Sequence, residues 1–559
     1  MSNELSLASS QRVDFASLFT AEGYEIESII GTTYSLNYET LLMLILAVTY
    51  GPGADKALEH RCENISPAAI FAAIKNMRGK LKVYCQADKT EELSGTNNNE
   101  NMQRIKVLLD EFVEPIPMTK GGGNEFSSFH SKAWLISFKK KNHKYRMIVT
   151  SRNLTSNRDF DAVAVFESSG TSKACVTEIL KQINPPEELR NQFKNICFEP
   201  EPQKKITEDV VKKCHSVISP FLDASLLKKF SGLNIFSLRS EINKVWKADR
   251  TLLEKHNFYY FNPLLEIQTE EGAHSSIHAK LYISNDFIIL GSSNFTIRGW
   301  ERNREFNIKL SSGIKEDGLK EELGVDKEEK YGSGMFIPYQ APKSEDVGAD
   351  EVKDPILQEL PCIQLKIKWE KNEKKLCLSL EYPDNVSPEE FEWKPLWSKG
   401  EWKKGNESSL SWNMDVRDVS KIFLCRIKVT ENGKVTEKVI QMLAVWEYEP
   451  EGVWEERYNA ERSKLSLADE LDFRMLSIEP DELYGRDVPL KRNGGSDDSH
   501  SPPRPPVFER LLKATPEQLK TFFADDIIKR KDEEDPLGLV QAFEDLKCFF
   551  GIKSSGGKK

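Results

Sequence analysis

The most apolar run in this chain, Leu41 to Val48, is far shorter than the roughly 20 residues that span a bilayer, and the first fifteen residues hold no apolar signal core. A membrane span and a secretory leader are therefore not expected, and a cytoplasmic location is. Nine cysteines are scattered along the chain with no C-x-x-C pair and no histidine at zinc-ligand spacing. That argues against a disulfide framework and a structural metal, and for a reducing compartment. Positive charge is not in excess: 78 Lys and Arg face 88 Asp and Glu, a net charge of −10. A protein coated in positive charge for nucleic acid is excluded, although a local basic patch is not, since steering depends on where charge sits.

What the chain does contain is a repeat. Residues 129–161 read FHSKAWLISFKKKNHKYRMIVTSRNLTSNRDFD, and residues 277–307 read IHAKLYISNDFIILGSSNFTIRGWERNREFN. Each copy opens on His-x-Lys (His130/Lys132, His278/Lys280) and runs through apolar residues of strand type to a Ser/Asn turn. Each then has an Asn followed two residues later by Thr (Asn153, Asn294), and closes on Asn-Arg-acid-Phe. A separation of about 150 residues fits two homologous half-domains better than a solenoid, whose period is roughly 20 to 50. Two such halves can face each other across one site.

The residue types suit phosphodiester chemistry. A histidine near neutral pKa can attack phosphorus, and a second on the opposite side can protonate the leaving oxygen. The ammonium groups of Lys132 and Lys280 and the amides of Asn153 and Asn294 would hold the non-bridging oxygens, so no metal is required. His and Lys two apart on a strand point to the same face and reach one phosphate. A carboxylate should fix each ring, and Glu305 and Asp159 hold equivalent places in the two copies, with Asn307 and Asp161 at the next inward position. A single His-x-Lys would be read as a structural or surface histidine; two with matching followers are not. The remaining histidines (60, 143, 215, 256, 274, 500) default to structure or surface, with His274 near enough to His278 to line the mouth.

These segments resemble those of the phospholipase D superfamily, which includes phospholipases, cardiolipin synthases, metal-independent nucleases and tyrosyl-DNA phosphodiesterase. The second copy, HAKLYISNDFIILGSSN with Glu305, follows the family's His-Lys-Asp form with one residue fewer between Lys and Asn. The first copy lacks the Asp and the Gly-Ser and, with its insertion SFKKKNHKYR, is more similar to the His-Lys-Asn form of tyrosyl-DNA phosphodiesterase. The resemblance covers about residues 25–340. It implies His130 as nucleophile forming a phosphohistidine, His278 as general acid and then base, and crossed support in which Glu305 orients His130 and Asp159 orients His278. Exchange of the two histidine roles stays open.

At 559 residues, two to four domains are expected. Strands alternating with helices over the first 340 residues predict an α/β fold with mixed sheets covered on both faces. The expected plan is two phospholipase D-like α/β/α half-domains (1–200 and 201–343) around one site, then a linker (344–360) and a β-sandwich-like domain (361–485). A disordered linker (486–506) and a helical appendage (507–559) follow. Asn432-Gly433 signals a hairpin in the β-rich part, where seven of the ten tryptophans fall and are read as core or rim rather than as a binding surface. Phe508, Leu511, Leu512, Leu519, Phe522 and Phe523 recur at helical spacing. The helices they mark either dock a partner or pack back on their own chain.

Lys139, Lys140, Lys141, Lys144, Arg146, Arg152 and Arg158 crowd the first motif with Asp159 as their only acidic neighbour, a concentration that points to a polyanion. The run from Lys139 to Arg146 also fits a solvated hairpin tip. Phe126, Phe129, Trp134 and Trp300 could stack bases or belong to the core. The expectation is a metal-independent DNA nuclease with no cofactor. By resemblance it would be an effector of bacterial anti-phage or restriction defence, with a helicase or other ATPase as partner of the C-terminal helices and a homodimer possible for double-strand cutting. Alternatives are a tyrosyl-DNA phosphodiesterase-like end-processing enzyme, a phospholipase or phosphatidyltransferase, and a non-catalytic nucleic-acid-binding module.

Overall fold

The structure is a computed structural model. It describes residues 15–51, 65–90, 100–120, 126–157, 159–262, 276–325, 335–341, 360–383, 386–407, 409–431, 434–448, 450–478, 511, 514–523, 543, 546–547 and 550. The linkers expected at 344–360 (but for Leu360) and 486–506, the 432–433 turn, His274, Arg158 and most of 507–559 lie outside these. Among the described residues no helix is long and apolar enough to cross a membrane. The chain divides into two compact units. One holds Ile26–Leu41 and Gly79–Pro450, the other Phe15–Glu25, Leu42–Arg78 and Glu451–Lys559.

The first unit contains two sheets of the same plan. Strands β1 (Glu25–Thr33), β2 (Leu81–Gln86), β3 (Val113–Ile116), β4 (Ala133–Lys139), β5 (His143–Thr150) and β6 (Val163–Glu167) form a sheet in the order β3-β2-β1-β4-β5-β6. β1 to β3 run parallel, and β4 to β6 pair antiparallel with one another in a meander. The second sheet is built from β7 (Glu201–Pro202), β8 (Ser216–Ile218), β9 (Asn234–Ser237), β10 (Asn257–Phe261), β11 (Leu281–Ile283), β12 (Ile288–Gly291), β13 (Asn307–Leu310) and β14 (Phe336–Pro338). Its order is β14-β10-β9-β8-β11-β12-β13-β7. Without its two edge strands this is the same six-strand order, so the sequence repeat is a structural repeat. A tight turn at Asn285-Asp286 joins β11 to β12, with the Ser284 hydroxyl accepting from the amides of Asp286 and Phe287.

The core strands are apolar on both faces, as covered parallel sheets require: in β4 every residue but Lys139 is buried. Trp134 on β4 crosses β1 over Gly31, where a Cβ would lie 2.2 Å from the indole Cζ3. Glycine is required there by close approach rather than by backbone angle. One cluster of buried side chains draws on both halves, including Leu135 and Met147 from the first and Leu281, Leu290 and Phe306 from the second.

The β-rich part is a pair of four-stranded sheets. β15 (Gln364–Glu370), β16 (Lys375–Glu381), β19 (Ser409–Asn413) and β22 (Val445–Trp446) pair in the order β19-β16-β15-β22. β17 (Glu392–Pro395), β18 (Lys403–Lys404), β20 (Ile422–Glu431) and β21 (Lys434–Leu443) pair as β18-β17-β20-β21. β15 alternates buried and partly exposed residues, the mark of a sheet packed on one side. Trp369, Trp393 and Trp412 are buried there, in line with the core reading of the tryptophans. This part is joined to the first half: the Lys421 amide donates to Asp110 Oδ2 at 2.9 Å, its ammonium to the Val113 carbonyl at 2.5 Å, and the Leu443 amide to the Ala87 carbonyl at 3.0 Å.

The expected boundary of the β-rich domain at 485 is corrected. Among the described residues the last strand ends at Trp446, and Gly452, at φ 74°, opens helix Val453–Arg462, followed by helix Leu467–Ile478. Both belong to the second unit, as do helix Pro67–Met77 and most of helix Tyr38–Tyr50, which the sequence reading assigned to the first half. Within this unit the Tyr458 hydroxyl donates to the Phe71 carbonyl at 2.9 Å, and the Arg78 guanidinium lies 4.2 Å over Trp454. Leu511, Phe522, Phe523 and Phe543 share a core with Met475, and Arg474 donates to the Phe522 carbonyl at 2.6 Å. The described C-terminal residues therefore pack on their own chain.

Gly31→Ala is expected to destabilise the first unit by about 1–3 kcal/mol, because Trp134 must leave its position. A lowered thermal midpoint relative to the parent checks it; an unchanged midpoint would contradict the close-approach account.

Candidate active site

Each His-x-Lys lies just before the first strand of its meander, β4 or β11, and each is paired with the closing segment of the opposite copy. Phe129 bridges Arg304 in parallel, with the His130 amide donating to the Arg304 carbonyl at 3.0 Å and the Arg304 amide to the Ser128 carbonyl at 2.8 Å. In the mirror arrangement Ile277 bridges Phe160, the His278 amide donates to the Phe160 carbonyl at 2.9 Å, and the Phe160 amide to the Ser276 carbonyl at 2.6 Å. These backbone bonds place the residue after Arg304 beside His130 and the residue after Phe160 beside His278.

Those residues are Glu305 and Asp161. His130 Nδ1 lies 2.8 Å from Glu305 Oε2, and His278 Nδ1 lies 2.9 Å from Asp161 Oδ1. A carboxylate can only accept, so Nδ1 carries the proton in each ring and Nε2 is left for chemistry. Crossed support is present, but the sequence pairing of Asp159 with Glu305 is corrected to Asp161. The shared Asn-Arg-acid-Phe lettering misaligns the copies by two residues, which on an extended chain keeps the same face. The true correspondence runs through serine. The Ser151 hydroxyl bonds Asp161 Oδ1 at 2.8 Å and accepts the amide of Ala162, while the Ser292 hydroxyl accepts the amide of Phe306, the residue after Glu305. Asp159 instead accepts the Ser276 amide at 3.1 Å.

Lys132 and Lys280 are 0% and 1% exposed, and each ammonium donates to the carbonyl of its own histidine. Oδ1 of Asn153 and of Asn294 are both buried without a hydrogen-bond partner, an uncommon condition that matches in the two copies. Burial lowers the pKa of His130, partly offset by Glu305. Burial and the positive charge of Lys280 push His278 down to about 4. Burial also lowers Lys132 to about 7, against the pull of Glu305 and Asp161, and drives Lys280 well down, with Lys132 repelling it. Asp161 and Glu305 are themselves lowered: burial acts to raise them, and the histidines and lysines more than offset it. Asp159 is raised, by burial and by Asp161. The charges of Lys280 on His130 and of Lys132 on His278 show that the two copies share one electrostatic site.

The basic residues separate into two groups. Lys139, Lys140, Lys141 and Lys144 lie at or beside the β4–β5 tip, at the end of β4 remote from Lys132, roughly 20 Å along the strand. Arg146 and Lys144 pair with Glu167 at 2.8 and 3.3 Å. The hairpin is therefore not part of the catalytic cluster. Arg152 is, with its guanidinium 3.8 Å from Asp161. Trp134 and Phe129 are core, as is Trp300, whose indole donates to the Tyr282 hydroxyl at 3.0 Å. Two contributors were missed in the sequence. Tyr34 meets His130 edge-on, and Gln182 bonds the Ser131 hydroxyl and donates to the Glu305 carbonyl at 3.1 Å. Both come from outside the repeats, and no spacing signal marks them.

Residues 240–322, which carry His278, Lys280, Asn294 and Glu305, match the family model described as cardiolipin synthase, PLD-like domain. The match falls on the second copy of the repeat, which is thus similar to a phospholipase D-like domain, as its motifs indicated. Among solved structures it is similar to a mutant of yeast tyrosyl-DNA phosphodiesterase, at 12% identity over 54% of this chain and 86% of that one, with a TM-score of 0.32. No curated protein matches the chain.

On the chromogenic diester bis(p-nitrophenyl) phosphate, Asp161→Asn is expected to lower kcat by about 100-fold or more, since His278 loses the acceptor that fixes its tautomer. Asp159→Asn should stay within about threefold of the parent. Equal losses in the two variants would restore the pairing read from sequence.

Proposed function

We propose that this chain is a metal-independent nuclease that hydrolyses DNA phosphodiesters in two steps through a phosphohistidine. The observation that carries the proposal is the pair of crossed His–carboxylate bonds around two buried lysines, with two asparagines whose Oδ1 atoms are buried without a partner. In the first step Nε2 of His130 attacks phosphorus and the P–O bond to the leaving group breaks, with His278 supplying the proton to the departing oxygen. In the second, His278 takes a proton from water, whose oxygen attacks phosphorus as the P–N bond to His130 breaks. The buried ammonium and amide groups hold the non-bridging oxygens throughout.

Charge balance supports this order. With both lysines charged, Lys132, Lys280, Glu305 and Asp161 sum to zero around two neutral imidazoles. A bound phosphodiester adds one negative charge, which favours one proton on a histidine and equips His278 as the acid. Nucleic acid is the substrate class we favour because Arg152 stands at the site while the Lys139–Lys144 tip lies roughly 20 Å away. A polymeric anion reaches both, and a lipid headgroup does not. A role in anti-phage defence remains part of the proposal only through the resemblance of the motifs.

Labelled single- and double-stranded DNA incubated with the protein in excess EDTA should be cut, and His130→Ala and His278→Ala should each abolish cutting. Binding without cutting by the parent would remove the nuclease reading. In the same assay kcat/KM should peak on the acid side of neutrality. Towards lower pH the nucleophile is lost as His130 protonates; towards higher pH the proton on His278, lowered to about 4, and then the charge on Lys132, lowered to about 7, are lost. A maximum above about pH 8 would show that these groups do not govern the rate.

A further inference from the structure

Tyr34 follows β1 directly, and its ring stands edge-on to the His130 imidazole, with centroids 4.8 Å apart and planes at 61°. The Lys132 and Lys89 ammonium groups lie 5.6 and 5.9 Å from the centroid of the same ring. Lys89 also acts by its charge on the Tyr34 phenol. It is held there on two sides. Its ammonium pairs with Asp88 at 2.6 Å, and its backbone carbonyl accepts the Leu36 amide at 2.9 Å. Asp88 in turn accepts from Gln86 Nε2 at 2.7 Å, and Gln86 Oε1 takes the amide of Phe129, next to His130, at 2.9 Å. One hydrogen-bonded chain therefore runs from the ends of β1 and β2 to the His130 backbone.

The second half adds to this cluster. Arg298, exposed four residues after Asn294 in the helical turn Arg298–Arg302, exerts its positive charge on Tyr34. An ammonium cannot accept, so the Tyr34 O–H beside Lys89 is left for another acceptor. Burial keeps that phenol protonated by raising its pKa. Burial would lower Lys89, but the Asp88 carboxylate and Tyr34 more than offset it, and its pKa is raised. The cluster thus presents a hydroxyl donor beside His130, with the Asp88-paired Lys89 ammonium near its ring and the Arg298 charge acting on it. It is separate from Lys132, Lys280 and the two asparagines, which suffice for the scissile group.

We propose that Tyr34, Lys89 and Arg298 form a subsite for the phosphate that adjoins the scissile one on a nucleic-acid strand, with the Tyr34 hydroxyl as the direct contact. The inference rests on the nuclease reading and deepens it. It makes the enzyme selective for substrates carrying a second anionic group one nucleotide away, and it gives the Tyr34 ring a further task in fixing the His130 imidazole.

The test uses one oligonucleotide with a single cleavage position and two analogues, in which the phosphate on one side or the other of that position is a neutral methylphosphonate. The parent is expected to lose about tenfold or more in kcat/KM on one of the two analogues. In Tyr34→Phe, Lys89→Met and Arg298→Met the ratio of kcat/KM for the all-phosphate strand to that analogue should fall towards one. Residual cleavage of the analogue reports that each variant is folded. Equal proportional losses on every substrate would mean a purely structural role and overturn the subsite, as would an undiminished ratio. A parent that cuts bis(p-nitrophenyl) phosphate but none of the oligonucleotides would instead defeat the nuclease reading itself.

Discussion

Each histidine of the site takes its carboxylate from the opposite half of the chain, and this crossing is the constraint on which the rest depends. A strand-end histidine has no local partner able to fix its tautomer; the partner has to be delivered by a second element. Here the short parallel bridges Phe129–Arg304 and Ile277–Phe160 make the delivery, so the backbone that joins the halves is the backbone that builds the site. Neither half contains a complete site. Fusion of two copies in one chain follows naturally, because separation of the halves would leave each imidazole without its acceptor and each carboxylate buried without its partner.

The buried lysines show what that closure costs. Ammonium groups with essentially no exposure are strongly disfavoured, and here two repel each other. Glu305 and Asp161 offset part of this, and the depressed pKa values record what is left. The site is thus poised to gain from an anion, and Oδ1 of Asn153 and of Asn294, acceptors buried without a donor, mark the same site as unsatisfied. The shared apolar cluster beneath both sheets holds this arrangement against relaxation.

Sequence reading found the repeat, both His-x-Lys pairs, both asparagines and Glu305, because strand periodicity and spacing carry that information directly. It failed where correspondence had to be read through loops of unequal length. Ser151 and Asp161 are ten residues apart and Ser292 and Glu305 thirteen, so aligning the closing letters selected Asp159. The place of the basic hairpin was hidden in a related way: Lys139 to Arg146 is close to His130 in number and a strand's length away in space. Tyr34 and Gln182 carried no signal, since single polar residues outside a repeat look like any others.

By itself, then, the sequence determined the two-copy α/β plan, the chemical types at the site and the absence of a long apolar span, all of which depend on local pattern and composition. Tertiary structure alone decided which carboxylate serves which histidine and that the described C-terminal helices pack on their own chain. It also decided that Tyr34 and Lys89 stand beside His130. Those are contacts between residues far apart in the chain, and hydrogen-bond geometry across a bridge between two sheets has no signature in spacing.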